Sequence, residues 1–265
     1  MTTPLATALW TTALIGGTGF VGGTLLRSRR FDAVYRSTDI EGIAGHRFDH
    51  VVCAGAPAEK WRANQDPAAD WQNLERLIEA LLAARIGKLV LISTVDVYGT
   101  PQGVTERDAP SGATPYGRHR LELERILSKH FPTLVVRLPA LFGPGLKKNA
   151  VYDLLHGNQP ERIDDRGSFQ FYDLTRLSSD LEVAEAAGLS LVHFATEPVT
   201  IRRMAREAFG IDFANRLEAP PASYDVRTLH AAAFGGSGGY LADAAEVVAG
   251  LRSFVTTERK ERQCG

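Results

Sequence analysis

The sequence predicts a doubly wound α/β fold, a parallel sheet with helices on both faces, followed by a smaller C-terminal α/β lobe. In the first half, apolar runs of strand length alternate with amphipathic helical runs. A glycine-rich turn joins the first strand to the first helix. Residues 89–92 form a continuous apolar block, as expected of a strand buried on both faces. After Gly145 the alternation loosens, which predicts the second lobe.

The first half contains five predicted strands and three predicted helices. The longest pattern has Leu74, Leu77, Ile78 and Leu81 at helical spacing. The strands are expected near 11–15, 32–36, 50–54, 88–93 and 133–138, and the helices near 20–28, 68–85 and 115–130.

The second half has weaker patterns. They predict a short helix at 150–156, a turn at 158–160, a strand at 191–195, a helix at 200–209, a flexible glycine-rich segment at 234–239, a last helix at 241–252 and a frayed charged tail at 258–262.

The turn after the first strand has the spacing Gly16-x-x-Gly19-x-x-Gly22. Glycines let the backbone approach a pyrophosphate, and the N-terminus of the next helix offers N–H groups to the anion. A turn that serves packing alone is the other interpretation. The predicted dinucleotide contacts here are Gly16, Thr18, Gly19, Phe20, Val21 and Gly22.

Composition excludes several other classes of function. The net charge of −1 over 265 residues provides no general attraction to nucleic acid. Cys53 and Cys264 lie far apart, which suggests a reduced, cytoplasmic protein without disulfides, and the histidines lack metal-ligand spacing. Residues 4–15 lack the charge and length of a signal or membrane anchor, so we interpret them as a loop and the first strand.

Three further segments carry a family resemblance: residues 93–99 (Ser-Thr-Val-Asp-Val-Tyr-Gly), residues 116–120 (Tyr-Gly-Arg-His-Arg) and residues 136–145. With the glycine turn, they make the chain resemble the extended short-chain dehydrogenases/reductases, the NAD-dependent epimerase/dehydratase family, over about residues 11–210. Thr94 matches the family's Ser/Thr four residues before the tyrosine of its V-Y-G segment, and Tyr116 matches its catalytic tyrosine. The resemblance implies a Rossmann fold with a nicotinamide cofactor.

The chemistry of the matched residues supports this interpretation. Hydride transfer at a carbon needs a proton transfer at the attached oxygen, and a tyrosine whose pKa a nearby cation lowers can act as the acid/base. Thr94 can hold the same oxygen by a hydrogen bond. Arg120 lies one helical turn after Tyr116, where the family has lysine, and supplies a permanent charge and donors for the ribose. The alternative is an ordinary helix-start tyrosine followed by a surface arginine.

Four residues are candidates for substrate contact. Asp96 is a second acid/base or a turn cap, and Lys148, with its neighbour Lys147, is an anion ligand or a solvated lysine. Asn149 bonds substrate or caps the helix at 150. Gln170 is a possible substrate contact in an aromatic segment.

Cofactor selectivity is expected at the end of the second strand. Arg36 and Ser37 come first there, which favours the 2′-phosphate of NADP, whereas a register shifted by two residues would bring in Asp39 and favour NAD. Further cofactor contacts are expected from strand ends and from the acid/base pair: Ala54, Gly55, Tyr116, Arg120 and Leu138.

These observations predict a dinucleotide-binding domain over 1–145, to which 172–197 return, and a substrate lobe over 146–265. The predicted function is an NAD(P)-dependent oxidoreductase acting on a carbonyl or hydroxyl of a polar metabolite, above all a nucleotide-activated sugar. The alternatives are an epimerase that retains NAD, a dehydratase and a non-catalytic cofactor sensor. Family dehydratases have two acids after the threonine, whereas only Asp96 is present here. A homodimer through the helices at 68–85 and 115–130 is also expected.

Overall fold

Six parallel strands form the central sheet of the computed structural model, which describes residues 11–264. Their order in the sheet is β2–β1–β3–β4–β5–β6. The strands are β1 (Thr12–Ile15), β2 (Ala33–Tyr35), β3 (Arg47–Cys53), β4 (Arg85–Thr94), β5 (Thr133–Leu138) and β6 (Leu191–His193). The helices are α1 (Phe20–Ser28), α2 (Lys60–Gln65), α3 (Pro67–Leu82), α4 (Pro115–His130), α5 (Ala150–His156), α6 (Leu177–Ala186), α7 (Ile201–Met204) and α8 (Ala244–Cys264).

Helices cover both faces of this sheet. Along β4, Leu89 and Leu91 point to one face and pack in the same cluster as apolar residues of α3 and α4. Val90 and Ile92 point to the other face and pack with apolar residues of α1 and α6. The predicted doubly wound fold is therefore confirmed, and the apolar block at 89–92 is buried on both sides, as expected.

The strand order reverses between β1 and β3. The chain leaves β1 for β2 on one side and then passes to β3 on the other. In open parallel sheets the crevice beyond the carboxyl ends of two such strands is where ligands bind. Gly16 follows β1 and Ala54 follows β3, so both lie at this crevice.

A second apolar core lies in the C-terminal half. It includes Phe142, Val151, Phe171, Met204 and Leu251, all buried. Helices α5, α7 and α8 surround it together with short strand pairs, namely Ala140–Phe142 with Phe171–Asp173 and Ser168–Phe169 with Val199–Thr200. A further pair joins Gln102–Val104 to Asp225–Val226.

Some elements differ in extent from the prediction, and others were not predicted. The last helix does not end at 252, because Arg259 and Arg262 anchor its final turns by donating to the carbonyls of Phe209 and Leu155. Helices α2 and α6 and the short strands were not predicted. Residues 234–239, expected to be flexible, form a turn in which Gly236 N–H donates to Ala231. The predicted loop at 4–10 lies outside the described residues.

Three further features concern membrane spans, cysteine chemistry and metal binding. Among residues 11–264, no helix is both long and apolar enough to span a bilayer. Cys53 is buried, and burial raises the pKa of its thiol to about 11. No group of three metal-ligating side chains occurs in the described part of the chain.

Candidate active site

A cleft of about 1100 Å³ lies at the carboxyl end of the sheet, between the two cores. This volume lies at the upper end of the roughly 300–1,000 Å³ that is typical of ligand pockets. The structure brings all the predicted site residues except Gly22 to its lining. They are Gly16, Thr18, Gly19, Phe20, Val21, Arg36, Ser37, Ala54, Gly55, Thr94, Asp96, Tyr116, Arg120, Leu138, Lys148, Asn149 and Gln170.

The start of α1 fits a pyrophosphate. Gly19 is the N-cap, and no side chain caps the helix, so the first N–H groups face the cleft without a protein partner. Gly16 has a φ of +88°, and a Cβ there would overlap the carbonyl of Ala54. Gly22, which was also predicted to contact the anion, does not line the cleft. A Cβ on Gly22 would overlap the Gly16 carbonyl, so its role is to let α1 pack closely on the turn.

Replacing Gly16 by alanine should weaken both folding and dinucleotide binding. A left-handed backbone costs a residue with a Cβ about 1–2 kcal/mol, and at Gly16 the overlap with Ala54 adds to that cost. The matched control is Gly45→Ala, because Gly45 has a φ of +77° but open space around a Cβ. Urea unfolding should show a larger loss of unfolding free energy for Gly16→Ala than for Gly45→Ala. Equal losses would contradict the close approach of Gly16 to Ala54.

Tyr116 is held at the start of α4 by local and distant contacts. The Thr114 hydroxyl caps the helix by accepting from Gly117 N–H at 3.1 Å. The side-chain oxygen of Asn64 in α2 accepts from Tyr116 N–H at 3.0 Å. A Cβ on Gly117 would overlap the Asp96 carbonyl, so glycine there lets α4 touch the end of β4. These contacts bring Tyr116 beside Thr94.

The electrostatics of Tyr116 differ from the expectation. Burial raises the pKa of Tyr116 above its usual value of 10.0, and the Asp96 carboxylate raises it further. Arg120, a hydrogen bond with Thr94 and the charge of Lys60 lower this pKa without reversing the net shift. Arg120 therefore acts on the pKa of Tyr116 in the expected direction, but burial outweighs it and the net shift is upward.

Arg120 is not a freely available cation. Its Nη1 and Nη2 donate to the two carboxylate oxygens of Asp70 at 2.6 and 2.9 Å, and Nη2 also donates to the Pro57 carbonyl. Its guanidinium carbon lies 4.3 Å from the centre of the Tyr116 ring, in cation–π contact. These bonds use three of the five N–H groups of the guanidinium that was expected to donate to the ribose. Of the remaining donors, Nε is buried and has no hydrogen-bond partner.

Thr94 and Asp96 lie at the end of β4. Thr94 Oγ1 accepts from Asp96 N–H at 3.1 Å. The Asp96 carboxylate does not cap this turn. Its Oδ1 instead accepts from Lys60 Nζ at 2.6 Å and from the Tyr224 hydroxyl at 2.9 Å. Lys60 also donates to the Tyr224 oxygen at 3.2 Å. Asp96 is therefore paired with a lysine that faces the cleft.

Three more of the predicted substrate contacts form hydrogen bonds within the protein. The Gln170 amide donates to the carbonyls of Thr196 and Val226 and accepts from Val226 N–H, so it joins strands rather than presenting polar atoms to a ligand. Asn149 caps α5 by accepting from Val151 and Tyr152, which is the alternative weighed above. Lys148 is exposed and donates to the Ala58 carbonyl at 2.8 Å.

The end of β2 presents a cation to the cleft. Arg36 and Ser37 line it, whereas Asp39 does not. The Asp39 carboxylate accepts from Arg36 N–H at 2.5 Å and so closes its own turn. The carboxylate that would select a free ribose is therefore not among the residues that line the cleft.

Sequence reasoning missed several residues of the cleft. Helix α2 supplies three of them, and its six residues are too few for an apolar period to show. Tyr224 comes from an irregular segment with no pattern. The missed lining residues with polar or aromatic side chains include Lys60, Trp61, Asn64, Asn73, Arg76 and Tyr224.

The fold and this cleft define a dinucleotide-binding protein of the doubly wound class. A model described as the NAD dependent epimerase/dehydratase family matches residues 13–158, more than half of the chain. The protein therefore belongs to the NAD-dependent epimerase/dehydratase family. No curated protein sequence gives a significant match.

Solved structures of low sequence identity share the fold. The UDP-N-acetylglucosamine 4-epimerase of Methanobrevibacter ruminantium M1, in complex with UDP-N-acetylmuramic acid, is 15% identical at a TM-score of 0.75, covering 95% of this chain and 99% of its own. A double mutant of DesIV, the dTDP-glucose 4,6-dehydratase of Streptomyces venezuelae with NAD bound, is 14% identical at 0.74, covering 95% and 98%. RMD from Pseudomonas aeruginosa, complexed with NADPH, is 20% identical at 0.67, covering 94% and 97%.

Proposed function

We propose that the protein is an NADPH-dependent oxidoreductase that reduces a carbonyl of a nucleotide-activated sugar. The observation that carries this proposal is that Thr94 and Tyr116 lie side by side in the cleft that the glycine turn also lines. The dinucleotide would supply the hydride, held by Gly16, Gly19 and the N-terminus of α1. Relatives of the same fold bind NAD or NADPH and nucleotide sugars, which supports the choice of ligands.

The charges in the cleft support two anionic ligands. Among the residues that line it, Asp96 is the sole acidic one. Three of the lining cations pair with carboxylates, namely Lys60, Arg76 and Arg120. Arg36 forms no ion pair within residues 11–264, and neither do Lys147 and Lys148, although the charge of Glu59 acts on Lys148. Arg36 suits the phosphates of the dinucleotide, and the two lysines suit the diphosphate of a sugar nucleotide.

Tyr116 can supply the proton that reduction of a carbonyl requires. A phenol with a raised pKa holds its proton near neutral pH and can donate it to a carbonyl oxygen that gains negative charge. Thr94 would hold the same oxygen by a hydrogen bond. Arg120, fixed by Asp70, positions the Tyr116 ring and offers positive charge to the phenolate that forms.

Arg36 is proposed to bind the 2′-phosphate of NADPH. A charge-assisted hydrogen bond contributes about 1.5–3 kcal/mol, so Arg36→Ala should weaken NADPH binding by roughly 10- to 150-fold. NADH binding should change little, and the matched control Arg30→Ala, which removes an exposed arginine beyond α1, should affect neither. Fluorescence titration measures the affinities of both variants for NADPH and for NADH. Equal losses of affinity for NADPH and NADH would contradict the assignment of Arg36 to the 2′-phosphate.

The first experiment is native mass spectrometry of freshly purified protein, followed by titration with NAD, NADH, NADP and NADPH. Reversible NADPH binding, followed by NADPH oxidation with UDP- or dTDP-4-keto-6-deoxyglucose, is the expected result. Absence of binding by all four nucleotides would overturn the proposal.

An epimerase that retains NAD is the second candidate. The contact that favours it is the hydrogen bond from Lys148 to Ala58, which joins the loop before α5 to the loop after β3 across the cleft. Such a strap would slow the escape of a bound dinucleotide. Purification with NAD bound at a one-to-one ratio, without net oxidation of added NADPH, would establish the epimerase in place of the reductase.

A further inference from the structure

Three side chains in the cleft form a closed hydrogen-bonded triangle, which we call the Lys60 triad: Lys60 of α2, Asp96 after β4 and Tyr224 of the second lobe. The bonds measure 2.6 Å for Lys60–Asp96, 3.2 Å for Lys60–Tyr224 and 2.9 Å for Tyr224–Asp96. Asp96 is the sole acidic side chain among the described residues that line the cleft. A ligand in the cleft therefore meets a carboxylate at this triad.

The Lys60 triad leaves one acceptor and one donor unused. Asp96 uses Oδ1 for both of its side-chain bonds, whereas its Oδ2 has no hydrogen-bond partner within residues 11–264. Oδ2 is not one of the buried polar atoms without a partner, so it is accessible to a ligand. An ammonium has three N–H donors, and Lys60 uses two of them within the triad.

These unused groups suit a hydroxyl. A hydroxyl has one O–H donor and two acceptor lone pairs, so it can donate to Asp96 Oδ2 and accept from Lys60 at the same time. The opposite charges of Lys60 and Asp96 cancel, so the pair does not favour a charged group. Asp96 would repel a carboxylate of the ligand, and Lys60 would repel an ammonium. The chemistry of the triad therefore fits the uncharged hydroxyls of a sugar.

The Lys60 triad lies next to the residues that are proposed to hold the reacting oxygen. Asp96 N–H donates to Thr94 Oγ1 at 3.1 Å in the turn that ends β4. Thr94 is in turn hydrogen-bonded to Tyr116. The Asp96 carboxylate belongs to a short side chain on that turn, so it lies close to the place where Thr94 would hold the carbonyl oxygen. In a keto sugar, the hydroxyl closest to that oxygen is the one on the adjacent carbon.

We propose that Asp96 and Lys60 bind the hydroxyl on the carbon next to the substrate carbonyl, an inference that rests on the proposed function and deepens it. The hydroxyl donates to Asp96 Oδ2 and accepts the third N–H of Lys60, while Tyr224 holds Oδ1 in place. A site built to bond a hydroxyl rejects an analogue that lacks it, because the polar groups of the site are then left unpaired. The substrate class is thus a 2-hydroxy ketone, and the corresponding deoxy ketone is disfavoured.

The test compares each substrate with an analogue that lacks only the adjacent hydroxyl. UDP- and dTDP-4-keto-6-deoxyglucose each compete with their own 3-deoxy analogue for reduction by NADPH, and product analysis gives the ratio of the two kcat/KM values. The wild-type protein should favour the hydroxylated substrate by about 10- to 150-fold, as expected for one hydrogen bond to a charged group. This ratio does not depend on how much of a variant is folded.

Three variants test the assignment of the residues. Asp96→Ala should bring the ratio to roughly one by slowing only the hydroxylated substrate. Lys60→Met and Tyr224→Phe each remove one bond to Asp96 Oδ1, so each should lower the ratio by a smaller factor. Tyr240→Phe is the matched control, because the Tyr240 hydroxyl donates to Asp225 and neither residue lines the cleft. Its ratio should equal that of the wild-type protein.

The outcomes distinguish the hydroxyl site from the reaction it serves. If the wild-type protein reduces both members of a pair equally well, or if Asp96→Ala keeps the wild-type ratio, the hydroxyl site is overturned and the proposed function stands. If Asp96→Ala slows both members equally, Asp96 acts on the reaction itself, and the hydroxyl site is again overturned. If Tyr224→Phe lowers the ratio no more than Tyr240→Phe, the role of Tyr224 is overturned. If the wild-type protein reduces none of these sugars, the proposed function fails and the hydroxyl site fails with it.

Discussion

Replacing Tyr116 by phenylalanine should lower the rate of reduction by about a hundredfold or more and leave NADPH binding intact. The substitution removes one hydroxyl and keeps the ring, so the cation–π contact with Arg120 at 4.3 Å survives. Thr94 can still hold the substrate oxygen, but no phenol remains to donate a proton as the carbonyl is reduced. Single-turnover NADPH oxidation measures the chemical step, and fluorescence titration measures binding.

The matched control for this variant is Tyr152→Phe. Tyr152 is a half-buried tyrosine of α5 that contacts His156 and does not line the cleft. Its substitution should leave both the rate and the affinity unchanged. A Tyr116→Phe protein that binds NADPH and reacts at the wild-type rate would remove Tyr116 from the reaction. A wild-type protein that binds the dinucleotide and turns over no sugar nucleotide would instead favour the cofactor sensor.

Local motifs predicted the parts of the site that come from continuous segments. The glycine turn lies between β1 and α1, and Thr94 ends a strand, so strand–turn–helix patterns locate both. Tyr116 follows Pro115 at a helix start for the same reason. Helix α6 could also have been predicted, since Leu177, Leu181 and Ala184 repeat at helical spacing and are buried.

Contacts between distant segments could not be predicted in this way. Asp96 lies 36 residues from Lys60 and 128 from Tyr224, and neither partner lies in a segment whose sequence shows an apolar period. Similarly, Asp70 lies 50 residues from Arg120. The sequence therefore shows an arginine one turn after Tyr116 but not that a buried carboxylate binds its terminal nitrogens. That contact, which depends on how α3 packs against α4, decides whether Arg120 can reach a ligand.

Replacing Asp70 by alanine should lower the free energy of unfolding by about 3–5 kcal/mol, since it leaves a buried guanidinium without its partner. The side chains of Asp70 and Arg120 are only 5% and 3% exposed, and two hydrogen bonds join them. Burial raises the pKa of Asp70, but hydrogen bonds from Arg120 and His119 outweigh this effect and hold it below its usual value. The carboxylate is thus ionised at neutral pH, and urea unfolding measures the loss.

An exposed ion pair provides the control for this stability effect. Glu122 and Arg125 lie on the solvent side of the same helix as Arg120, 3.6 Å apart and with side chains 45% and 64% exposed. Pairs of this kind contribute about 0–1 kcal/mol, so Glu122→Ala should unfold near the wild-type denaturant concentration. The double variant Asp70→Leu with Arg120→Met should recover most of the loss, because it removes both buried charges together. If Asp70→Ala is as stable as Glu122→Ala, Arg120 must find another partner, and the Asp70 contact then does not hold it beside Tyr116.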